Sequence, residues 1–168
     1  MKEEIKNYRN NIQDFISTVI NKRLDRISFL LDLNPTFELD DVPFQFKYAH
    51  SICFHIEEIN YLLSTSQTSL GIETFWIEQI RNLDDIGKSN FTAEINERIE
   101  KIEVKEGIEH FYYKIGMETE KNKWWFIAGE IYDTHEGKLN YKFNDEMILA
   151  FSNLLEVNKY EEIINENR

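Results

Sequence analysis

The sequence predicts an α+β fold in which N-terminal helices pack on a three- or four-stranded antiparallel meander that C-terminal helices close. Three observations point there. Apolar residues recur at steps of three and four over residues 3–33 and 44–63; they alternate with period two over 108–143; and helical spacing returns after Asn144. Runs of helix followed by strands and then helix give segregated α+β, not an alternating α/β sheet.

Over residues 3–33, Ile5, Tyr8, Ile12, Phe15, Ile16, Val19, Ile20, Ile27, Leu30 and Leu31 predict one long helix. It stops at Asn34-Pro35, because the residue before proline is driven out of the helical region. Residues 34–43, NPTFELDDVP, read as an acidic loop, and Pro43 is placed to open a second helix. Tyr48, Ile52, Ile56, Ile59, Leu62 and Leu63 give that helix its buried side. STSQTS at 64–69 is a polar interhelical loop, and Ile72, Phe75, Trp76, Ile80 and Leu83 predict a third helix that Gly87 ends. A fourth over 92–102 follows from Ile95, Ile99 and Ile102, with Glu94–Arg98 and Glu97–Lys101 in the favourable i,i+4 order. A strand through Ile102 and Val104, turning at Glu106-Gly107, is the alternative for its end.

Residues 108–118, a segment near 124–132 and 139–143 then form three consecutive strands. Gly137 supplies the positive φ that closes the second hairpin. The middle strand is apolar on both sides. Trp125, Ile127 and Ile131 lie on one, and Trp124, Phe126, Ala128 and Tyr132 on the other, with Glu130 the lone charge. Either the chain's own helices or a curling sheet cover the second face, or a partner does. Asn144, followed by Asp145 and Glu146, caps a helix through Leu155, and Asn158 opens a short terminal one.

With 168 residues, 42% hydrophobic, the chain reads as a single globular domain, residues 1–168. The lone Cys53 makes no internal disulfide, and no apolar run reaches the length of a membrane span, so the expected location is the cytoplasm. Net charge is −12: residues 34–87 carry 2 Lys/Arg against 9 Asp/Glu, whereas residues 1–33 carry 6 against 5. That balance opposes direct nucleic-acid or anionic-membrane binding, which needs clustered cations. It favours a basic protein partner.

Six scattered glycines exclude phosphate-cradling loops, and the common nucleophile-elbow and zinc signatures are absent. His50, Cys53 and Glu57, at steps of three and four, would share a helical face, yet they read as core edge, and no metal or cofactor is expected. The first functional expectation is therefore a small protein-binding inhibitor, of the toxin-immunity or phage anti-defence type. Asp40, Asp41, Glu57, Asp84 and Asp85 would steer a basic partner, and Tyr112, Trp124, Phe126 and Tyr132 would anchor it. One competing reading is an enzyme or small-molecule binder with an aromatic pocket, using His110 and Glu130 as acid and base. The other is an oligomeric structural protein seamed by the first helix.

Overall fold

The computed structural model describes residues 1–82, 90–134 and 136–166. Helix α1 (Lys2–Val19) is followed by strands β1 (Arg23–Leu31), β2 (Lys47–Ile56), β3 (Ile59–Gln67), β4 (Glu73–Ile80), β5 (Phe91–Glu106), β6 (Tyr112–Thr119), β7 (Lys123–Asp133), β8 (Leu139–Phe143) and β9 (Met147–Phe151), and then by helix α2 (Leu154–Glu166). The expected stack of helices on a meander is overturned: the described chain is mostly sheet, with one α-helix at each end. The predicted helices over 44–63 and 92–102, the described part of that over 72–85 and most of that over 145–155 give way to strands, as does the second half of 3–33 and most of the polar stretch 64–69; Leu83 and the expected stop at Gly87 lie outside the described residues.

The pairings β1–β5, β5–β6, β6–β7, β7–β9, β9–β2 and β2–β1 return to the starting strand, so six antiparallel strands close into a barrel. β3 and β4 continue the sheet beyond β2, and β8 pairs with the second half of β7. The meander β6–β7–β8 forms in the predicted order, with Gly137 at φ 71° in its second turn.

Bulges are one reason why strands carry three-residue apolar steps; β3 and β4 pair without any, and their apolar residues simply fall on both faces. A flat strand puts residues three apart on opposite faces, but one extra residue brings them back to the same face. The β1 register slips between Leu24 and Arg26, so Leu24 and Ile27 both face the barrel core. Between Leu30 and Leu31 the slip falls on β2, so that Ala49 joins Ile52. On β5 it lies between Ile99 and Lys101, which aligns Ile99 with Ile102. Each of these three-residue steps mimics a turn of helix. α1 itself stops at Val19, and Asn21 takes φ 66° to reverse the chain into β1.

The barrel interior and the α1 face form one core, which includes Ile12, Phe15, Phe29, Phe54, Ile115 and Phe126. Ile12, Phe15 and Val19, on the apolar side of α1, are buried there. Asn11 fastens α1 to β4: its Nδ2 donates to Ile77 O and its Oδ1 accepts from Ile77 N–H, both at 2.9 Å. A second core lies outside the barrel, where α2 and the segment 37–48 cover β7 and β9. Here Trp125, Ile127 and Ile131 meet Phe44, Phe151 and Tyr160. Asn153, just ahead of α2, caps it by accepting from Leu155 N–H at 2.9 Å. No described helix is long and apolar enough to cross a membrane.

Candidate protein-interaction site

The segment between β1 and β2 is held by inward aromatic side chains. Phe37, Val42 and Phe44 are buried in the second core, with the Phe37 ring 5.3 Å from Tyr48 and that of Phe44 5.3 Å from Tyr160. Backbone ties add to this. Asp32 N–H donates to Tyr48 O at 2.8 Å, and Gln45 N–H to the Glu156 carboxylate at 2.6 Å. A single 3-10 turn, Leu39–Asp41, sits between the anchors, closed by Asp41 N–H donating to Glu38 O.

Alternation of anchors with this turn sends the remaining residues outward. Leu33 is 70% exposed and Leu39 56%, and Glu38, Asp40 and Asp41 are exposed beside them. Two open hollows flank the loop and share Pro35, Phe37 and Glu38. The larger, about 770 Å³, runs under it to Leu139 and Tyr141 of β8, with Asp41, Asp133 and Lys138 on its walls. The smaller, about 500 Å³, lies between Leu33 and Leu39. Large apolar side chains ringed by carboxylates on an anchored backbone suit a protein contact, because little order is lost on binding.

Of the steering residues predicted from sequence, Asp40 and Asp41 lie together on this loop. Glu57 sits at the far end of β2, about 30 Å along the strand at ~3.3 Å per residue. There it occupies a two-residue turn with Glu58, both at positive φ, and accepts from Arg23 N–H. Asp84 and Asp85 lie outside the described residues. The aromatic anchors fall mostly inside the chain, which corrects their reading as a surface. Phe126 is fully buried against Phe54, Trp124 packs on Phe29 inside the barrel, and buried Tyr112 accepts from Gln13 Nε2 through its hydroxyl. Tyr132 alone is partly exposed, beneath the Lys142 ammonium. Curling of the sheet hides what a flat meander would have offered.

The two groups proposed for an acid–base pocket have separate surroundings. His110 pairs with Glu106 at 3.0 Å in the β5–β6 turn, whereas Glu130 faces Lys142 and Asp145. Burial, then the Asp145 charge, raises the Glu130 pKa. His50 is exposed and 3.9 Å from Asp32, while Cys53 is fully buried with its thiol pushed up to about 11 by desolvation, so the His50–Cys53–Glu57 spacing does not converge. Among the described residues no group of three His, Cys, Asp or Glu is placed to hold a metal ion.

One polar constellation was invisible in sequence. Ser28, His55 and Asn60 come from β1, β2 and β3 and meet on the outer side of the barrel. Asn60 Oδ1 accepts a hydrogen bond from His55 Nδ1–H at 2.6 Å, so Nε2 accepts from the Ser28 hydroxyl at 2.8 Å. The geometry is that of a serine–histidine relay. Its setting is closed: Ser28 and His55 are each only 6% exposed, and among the described residues β1 and β2 are paired with strands on both edges, which occupies their backbone N–H groups. The network instead locks the register of three strands, since a one-residue slip would part all its members.

Replacing His55 with Ala is accordingly expected to cost about 2 kcal/mol, by stranding buried polar partners. Burial holds the imidazole pKa below its ordinary value. The unfolded state thus takes the proton first, and the stabilisation is present above about pH 6.5 and lost as pH falls toward the folded value. In urea melts, the stability advantage of wild type over His55→Gln should shrink between pH 7.5 and 5.5. A gap that is constant or widens would show that the imidazole is not held neutral by the fold.

No family model, curated protein or solved structure matches this chain.

Proposed function

We propose that the chain is a protein-binding inhibitor that engages a basic protein partner through the loop between β1 and β2, in the manner of an immunity or anti-defence protein. The observation that carries this reading is the exposure of Leu33 and Leu39 among Glu38, Asp40 and Asp41 on a backbone fixed by Phe37, Val42 and Phe44. Net charge of −12 supports the choice of a basic partner, because long-range attraction accelerates encounter while desolvated apolar contacts slow release. Asp40 and Asp41 steer; the leucines anchor.

The test is capture from native host lysate on the immobilised chain, at low and at high salt, beside the double variant Leu33→Ser/Leu39→Ser. A basic protein should be retained by wild type, more weakly as salt rises, and lost from the variant. Equal retention by both chains would move the contact away from the loop. Capturing nothing at either salt, while a small molecule raises the melting temperature, would replace this reading with a ligand-binding one.

A further inference from the structure

We infer that the partner element seated here is a lysine- or arginine-rich segment carrying large apolar side chains along one side, held between Leu39 and the hollow beneath the loop. This rests on the protein-binding reading above and adds the chemistry of what is bound. Three features of the surface select it. Leu33 and Leu39 protrude, so they require apolar atoms opposite them. The larger hollow, mostly polar on its exposed surface, also has Phe37, Leu139 and Tyr141 in its lining, which can meet a side chain in return. Among the described residues its lining is unbalanced in charge: Glu38, Asp41 and Asp133 stand against Lys138, and Asp40 adds a further carboxylate on the neighbouring hollow.

A purely apolar segment would leave those carboxylates facing greasy surface, and a purely cationic one would leave the leucines in water. Only a two-sided segment satisfies both. Recognition falls to side chains and not to strand addition, because the loop presents a closed 3-10 turn whose Asp41 and Val42 amides are already bonded to Glu38 and Leu39 carbonyls.

The probe is an 18-residue peptide of leucine and lysine, with leucines at helical three- and four-residue spacing, read by fluorescence anisotropy over a salt series. A second peptide has the same composition with its leucines scattered. Three double variants are compared: Leu33→Ser/Leu39→Ser, Asp40→Asn/Asp41→Asn, and Glu78→Gln/Glu100→Gln, the last removing the same two charges from exposed positions on β4 and β5. The one-sided peptide should bind wild type, at least tenfold more weakly to the leucine variant. The Asp40/Asp41 variant should bind more weakly with a flatter salt dependence, and the Glu78/Glu100 variant as wild type does.

Equal loss in the two charge variants, or none in the leucine variant, would mean attraction to net charge alone and overturn the inference. So would equal binding of the scattered peptide. Failure of the peptide to bind while the lysate partner is still lost from the leucine variant would sink the segment and spare the protein-binding reading; failure of both experiments would sink both.

Discussion

Phe126→Ala is expected to lower stability by about 4 kcal/mol, the usual cost of emptying a buried aromatic site. Phe126 is fully buried, meets the Phe54 ring edge-on at 5.2 Å and stacks with Trp124 at 6.4 Å. Its removal leaves a hole in the barrel that strands paired on both edges cannot collapse to fill. Against a typical total of roughly 5–15 kcal/mol, that is a large share. The measurement is a urea titration: the midpoint should fall steeply with an unchanged slope, because the surface exposed on unfolding is nearly the same. This result also decides between the two roles the central strand can have. If Phe126 is core, the folded fraction of the variant still binds the captured partner with wild-type affinity. An unchanged midpoint together with lost binding would restore the aromatic face as the docking surface and displace the acidic loop.

Gly129→Ala is expected to cost about 3 kcal/mol through a close crossing in the second core. A Cβ at Gly129 would stand 2.5 Å from the backbone oxygen of Lys142 on β8 and 2.6 Å from the Tyr160 hydroxyl on α2. Those two groups are themselves hydrogen-bonded, with Tyr160 donating to Lys142 O at 2.6 Å. Desolvation raises the Tyr160 pKa, which keeps the hydroxyl protonated as a donor. The glycine therefore permits α2 to reach over β7 and tie down β8, and a methyl group must push one of them away. Tyr160→Phe removes one of the two obstacles, so Gly129→Ala should be less damaging in that background than in wild type. A double-mutant cycle measures this coupling. Strict additivity would mean that α2 does not lie over Gly129 as described.

The meander was legible because its three short segments are rich in apolar residues, alternate on the outer two, and end in recognisable turns: Thr119–Asn122 closes on itself through Thr119 N–H to Asn122 O, and Gly137 adopts the left-handed conformation expected of it. So was the acidic character of the loop at 34–43, which composition alone reveals. Leu33 and Leu39 were missed as surface residues, since an exposed leucine has the same letter as a buried one. A faint signal existed in the loop: Phe37 and Val42 bracket Leu39 at spacings that a short turn converts into in, out, in. The relay of Ser28, His55 and Asn60 had no signal, because the register of three strands creates it.

What the chain's own letters determined was local: which segments alternate, which turns close, where charge collects, and that the strand at 124–132 is apolar on both sides. Which of its faces would meet solvent was settled only by closure of the sheet, as was the identity of the elements misread as helices. Bulges at Asp25, His50 and Glu100 reset the two-residue period, and nothing at those positions announces an extra residue until a partner strand is laid beside it. A three-residue apolar step satisfies a helix or a bulged strand equally well, and long-range pairing alone breaks the tie.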